Sequence, residues 1–246
     1  MSNLFNSFHL RFPFLLFAFF ELLGAIRAFN STPDSINAPL LLSEFLPCEV
    51  LEIITTSGPR LKVRFFGAWD FPQAILEKED WAARAAAVGV PMGGDLSPVS
   101  TINKAPSFLV WAVKDAESGN LDRIQMVKGW VDNEGNSQEK VFDIAWAGNR
   151  QLDQAGKLPP IGNTVDIANA TYENSIGAIS LKTIWTDPEF DGQQNAFYYA
   201  RVLEIPTPRW STYDAVALGL PTPVDVPATI QERAWSSPIW YTGDSR

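Results

Sequence analysis

The chain has 246 residues, a net charge of −9, one cysteine (Cys48) and one histidine (His9). An acidic chain without clustered Lys or Arg is a poor partner for nucleic-acid phosphates or an anionic membrane surface. No intrachain disulfide can form, a Cys/His zinc site lacks its ligands, and a Ser-His-Asp triad would have to recruit His9.

Met1 to Ala28 differs from everything after it. Arg11 precedes the apolar run Phe12 to Phe20, Glu21 interrupts it, and Leu22 to Ile26 resumes it. A spanning helix needs roughly 20 apolar residues, and this run is shorter and broken by a charge. A secretory leader ending at Ala28 fits the length, although Glu21 counts against it; a buried helix, or a stretch not native to the domain, are the alternatives. A leader implies a periplasmic or secreted protein, and its absence a cytoplasmic one. Membrane contact is expected only through this segment, if it stays uncleaved. Phe29 to Cys48, with Pro33, Pro39 and Pro47, has the composition of a linker.

From Glu49 onward the pattern predicts a mainly β domain. Val50 to Thr56 is an apolar run closed by the turn Thr56 to Arg60, and Leu61 to Phe65 alternates apolar and basic residues. One short helix is predicted over Trp81 to Val88, opened by Glu79 and Asp80 and stopped by Gly89. Pro91 to Leu96 is glycine-rich, but no Lys-Ser/Thr follows, so it reads as a tight turn rather than a phosphate cradle. Strands are predicted at Phe108 to Lys114, Leu121 to Val131, Lys140 to Trp146 and Asn174 to Trp185, with a long loop over Gly148 to Asn163. In Lys140 to Trp146 large apolar residues on both parities predict two covered faces. The aromatic strand Phe197 to Leu203 then enters a long loop punctuated by Pro206, Pro208, Pro221, Pro223 and Pro227, and a short strand follows at Pro238 to Tyr241. Strands at this spacing suggest an antiparallel β-sandwich with long proline-rich loops.

Several long stretches carry a family likeness: Thr56 to Arg60, Gly89 to Leu96, Leu121 to Trp130, and Phe197 to Trp240. They resemble the C-terminal part of domain-of-unknown-function family 3604, over roughly Thr55 to Thr242. Full-length members look like relatives of the PHP metal-dependent hydrolases. The resemblance implies an N-terminal barrel-like catalytic domain with His-x-His and further His and Asp ligands, followed by a β-rich region. Here His9 stands alone in Ser7-Phe8-His9-Leu10-Arg11, and the segment before Thr55 does not read like a catalytic half. The expectation is therefore a truncated member: the β-rich accessory domain, without metal ligands or a cofactor, and not catalytic alone.

No catalytic residue is assigned. Arg60, closing its turn, could face an anionic group of a substrate or pair a nearby carboxylate. Arg209-Trp210 and Glu232-Arg233 bracket the proline-rich loop. They could form a stacked platform for a small anionic or sugar ligand, or staple the loop to its sheet. Asp187 to Gly192 lacks the calcium-loop pattern and reads as a solvated acidic turn, with weak calcium binding as the other possibility. Asp122, Asp132 and Asp143 complete a scatter of acids whose pairing spacing alone does not reveal. An exported β-sandwich module that binds carbohydrate or protein is the competing function, and a self-sufficient hydrolase would lack a histidine base.

Overall fold

A computed structural model describes residues 54–98, 104–132 and 134–243. The apolar leader, the linker, His9 and Cys48 lie outside the described residues. The chain divides between Cys48 and Glu49, and every described residue belongs to the second unit.

The domain is mainly β and its two sheets are almost entirely antiparallel. A four-stranded sheet contains β2 (Lys62–Ala68), β3 (Val90–Pro91), β5 (Ser107–Val113) and β8 (Ser180–Thr186), in the order β3-β2-β5-β8. The other sheet has seven strands: β1 (Ile54–Thr56), β4 (Asp95–Leu96), β6 (Leu121–Val131), β7 (Ser137–Trp146), β9 (Ala196–Pro208), β10 (Thr229–Ser236) and β11 (Ile239–Tyr241). Its centre is the 13-residue β9, the aromatic strand of the sequence. One edge of β9 pairs with β6, which continues to β7; the other edge is shared end to end by β10 and β11.

Period-two alternation explains why β9 suits the middle. Ala196, Tyr198, Ala200 and Val202 point into the core, while Phe197, Tyr199, Arg201 and Leu203 alternate with them and are only partly buried. Against the inward set pack Val63 and Phe65 of β2, Phe108 and Val110 of β5, and Ile124 and Met126 of β6. Phe108 lies at the middle of this layer, its ring 4.4 Å from that of Tyr198 and 5.7 Å from that of Phe65. Burying such a ring contributes about 1.5–3 kcal/mol.

A second cluster covers the far side of the four-stranded sheet. Phe66, Ala68 and Leu109 meet Phe71, Ile75 and Ala85, the last on helix α1 (Trp81–Val88) and Ile75 on a 3-10 turn (Gln73–Glu77). Helix α1 has the predicted bounds. Asp80 occupies its N-cap position, yet its carboxylate accepts from Arg84 Nε at 2.6 Å rather than from a backbone N–H. The Pro91–Leu96 turn joins the two sheets, because β3 and β4 belong to different ones. Met92 N–H donates to the Phe65 carbonyl, Gly93 N–H to that of Pro238, and Gly93 takes φ +86°, where a side chain would be strained.

Three sequence expectations need revision. The stretch between Pro208 and Pro238 is not one loop: it holds a second helix, α2 (Trp210–Leu218), and the eight-residue β10. The predicted strand from Asn174 begins only at Ser180. Strand β7 is an edge strand with Val141 exposed, so its two faces are not both covered.

Candidate functional site

Regular pairing breaks three times in one region of the seven-stranded sheet. Between Leu121 and Arg123, β6 has one residue more than β9, namely Asp122; between Ile124 and Gln125, β7 has one more than β6, namely Ile144. Opposite Gln231 to Arg233, β9 advances three residues while β10 advances two. A bulge bends a strand and lets a side chain leave the in-out alternation, so three together mark a place where side chains are re-aimed.

Around these breaks lies a connected polar network. Asp122 is only 1% exposed. Its Oδ1 accepts from Arg150 Nη2 at 2.6 Å, and its Oδ2 from Arg123 Nε at 3.1 Å and Gln231 Nε2 at 2.9 Å. Arg123 reaches on to Asp143 Oδ2 at 3.2 Å, and Gln125 Nε2 donates to Asp143 Oδ1 at 2.8 Å. Gln125 Oε1 then accepts from Arg201 Nε at 2.8 Å. Arg150 also donates to the carbonyls of Ala147, Pro159 and Asp122, tying the long loop after β7 across the sheet. Buried carboxylates survive here because each meets a guanidinium with fixed geometry.

Between the sheet and this loop runs a cleft of about 520 Å³. Asp122, Arg123, Gln125 and Gln231 supply polar groups, and Pro160, Ile161 and Leu203 supply apolar wall. The combination of a few convergent polar groups with an apolar lining is what a small-molecule site requires.

Two further buried clusters flank the sheet. Lys128 Nζ lies 2.7 Å from Asp187 Oδ2 and donates to the Glu189 carbonyl at 2.7 Å, while Tyr198 donates its hydroxyl to the same Asp187 oxygen at 2.7 Å. Burial, and next the Asp187 charge, push the Tyr198 hydroxyl far above its usual pKa. Asp187 is therefore a buried, paired carboxylate and not part of a solvated acidic turn. Glu204, also fully buried, accepts from the Ser118 hydroxyl, and its second oxygen has no partner among the described residues. Burial lifts its carboxyl to about 7, helped by the charge of Glu232 and opposed by the Ser118 hydrogen bond.

The sequence-predicted residues fall in two places. Arg60 donates its backbone N–H to Asp115 Oδ2 at 2.7 Å in the turn after β1. That turn meets Glu232 and Arg233: Ser57 donates to the Glu232 carboxylate, and Arg233 N–H donates to Ser57 Oγ at 2.9 Å. Arg209 and Trp210 sit apart, at the start of α2, with the guanidinium 6.0 Å from the indole centre and Arg209 Nε buried without an acceptor among the described residues. Among the described residues no hydrogen bond or ion pair joins Arg209-Trp210 to Glu232-Arg233. The bulge network was not singled out from sequence. Its signal was the adjacent acid and base Asp122-Arg123 inside a strand of buried residues.

Among the described residues no group of three or more His, Cys, Asp or Glu side chains is placed to hold a metal ion. No helix there is long and apolar enough to cross a membrane. The fold and cleft define a class: a two-sheet β-sandwich domain with one sheet backed by a helix and the other carrying a bulge-framed polar cleft. The chain belongs to the family described as protein of unknown function (DUF3604), whose model matches residues 48–243. No curated protein and no solved structure gives a significant match.

Proposed function

We propose that this β-rich domain acts as the accessory part of a PHP-like metal-dependent hydrolase, with the metal chemistry residing in a separate catalytic body. The observation that carries this reading is the surface of α2 and the segment after it. Trp210 is 67% exposed, Leu218 70% and Val224 100%, with Tyr213 and Leu220 also exposed. Apolar side chains gathered on one short helix and its exit are what a domain shows where a second body is meant to rest. One sequence feature supports placing the metal chemistry elsewhere: a PHP-like metal site would call on several histidines, and the sequence holds only His9.

The test is metal analysis and phosphoester hydrolysis by the purified full chain. The expected result is no stoichiometric Mn, Fe or Zn and no turnover. Bound metal with hydrolysis abolished by a chelator would overturn the proposal.

A further inference from the structure

The face of the seven-stranded sheet turned away from the core carries more than the cleft. Strand pairing sets its side chains in rows. Phe197 stands between Gly129 of β6 and Trp240 of β11; two residues on, Tyr199 stands beside Val127. Two further, Arg201 stands between Gln125 and Trp235, with Asp143 beyond Gln125.

Gly129 decides how this face is shaped. A Cβ built on it would fall 2.1 Å from Cζ of Phe197 and 2.4 Å from Cε1. The Phe197 ring therefore lies flat over the glycine and turns its other face outward. The Tyr199 ring lies 9° from parallel to it with centroids 6.4 Å apart, and Trp240 closes one side at 5.5 Å. Two near-parallel rings along one strand offer aromatic faces of the kind on which the C–H faces of sugar rings stack.

Arg201 follows on the same strand. Its Nε is held by Gln125, itself held by Asp143, while its two terminal amino groups donate to no protein acceptor among the described residues. Arg123 and Arg150, by contrast, are committed to Asp122 and Asp143. A guanidinium fixed at one nitrogen and open at its fork matches a carboxylate bidentately. Nucleic acid would also use aromatic stacking and Arg, but a phosphate backbone is tracked by clustered Lys and Arg, and Arg123 and Arg150 beside this row are already committed to carboxylates.

We propose that this face, along β9 from Phe197 to Arg201, binds an anionic oligosaccharide, with two sugar rings on Phe197 and Tyr199 and a uronate carboxylate on Arg201. The proposal is independent of the accessory role and of any metal chemistry.

The test titrates the full chain by calorimetry with oligosaccharides of galacturonate, mannuronate and glucuronate, and with a neutral malto-oligosaccharide of equal length. At least one uronate is expected to bind saturably, with the neutral chain weaker by about tenfold or more. Arg201→Met, which keeps the apolar stem, should weaken uronate binding by a similar factor. Tyr199→Leu should weaken it through the lost ring face. If Arg201→Met does not fold, Arg201→Lys keeps the charge without the fork and should still lose most of the uronate preference. Absence of binding to every uronate, equal binding of the neutral chain, or binding indifferent to both Arg201 and Tyr199 overturns the proposal. So does self-association of the chain that Tyr199→Leu dissolves.

Discussion

Glu204 offers the sharpest test of the physical account. Its carboxyl is buried beside Gly119 and Ile205, accepts from Ser118 on one oxygen, and leaves the other without a partner among the described residues. Folding lifts it from the usual 4.5 to about 7. A raised carboxyl favours the protonated form in the folded state. Its contribution is therefore intact below about 4.5 and is lost as pH rises toward 7, after which nothing more changes. The gap corresponds to up to about 3 kcal/mol, a large share of a domain's stability. Glu204→Gln mimics the protonated side chain at every pH. Urea unfolding at pH 5 should give parent and variant within about 1 kcal/mol of each other, and at pH 8 the variant should be more stable by up to about 3 kcal/mol. Parallel pH profiles, or a variant weaker at both pH values, would refute the assignment of a buried, under-partnered acid. On the acid side the slope reverses. The Arg60 backbone N–H holds Asp115 below its usual range, as the Asn136 N–H does for Asp132 and the Asn169 side chain for Asp166. Their contributions are present above pH 4 and fade as pH falls through the lowered values.

Lys128→Met leaves Asp187 and the Tyr198 hydroxyl without their cation, and should lower stability by about 3–5 kcal/mol in denaturant. Adding Asp187→Asn should recover part of that loss, and a strictly additive double variant would show that the pair is not coupled. Gly129→Ala drives a methyl into the Phe197 ring and should cost about 1–3 kcal/mol, with Phe197→Leu in the same chain restoring most of it; an unchanged unfolding midpoint would contradict the flat ring. Arg150→Met releases the strap between Asp122 and Pro159, so limited proteolysis should cut first between Gln151 and Gly162. Unchanged protection there would mean the strap is held by something other than Arg150.

Much of the strand layout was legible because it is written in period two. Leu121 to Val131 has the bounds its pattern predicts, and helix α1 follows from the alanine-rich run closed by Gly89. Helix α2 was hidden by its surroundings. Prolines at 206, 208, 221, 223 and 227 outweighed the nine-residue helical run between them, although Gly219 in the left-handed region, followed closely by Pro221, is a common helix stop. Asp187 was misread for another reason. Its partner Lys128 is 59 residues away, and only the oddity of a lysine within Met126-Val127-Lys128-Gly129-Trp130 hinted that a buried carboxylate must exist somewhere. The bulge network escaped for the same reason at larger scale: Asp122 meets Gln231 across 109 residues, and extra residues in a strand carry no periodic mark.

The register breaks also explain why polar chemistry gathers where it does. A regular strand can send a side chain only in or out, and in this domain inward means Phe108, Ile124 and Val202. A carboxylate beside such side chains needs polar partners brought to it, and the register breaks are where the sheet brings them. Asp122 sits there as the residue of β6 that β9 does not match, while Glu204 keeps the inward parity of Ala200 and Val202 and the slip beside it buries Ile205 as well. Restoring the register would force one of these acids into the apolar layer without its partners, at a cost of several kcal/mol. The bulges and the acids are thus one feature. A deletion of Asp122 should disturb the pairing of β6 with β9, the Arg150 strap and the cleft together, whereas Asp122→Asn should weaken the strap and leave the pairing in place. Amide-exchange protection of β6 separates the two outcomes: loss of that protection in both variants would show that charge, not register, holds the strand.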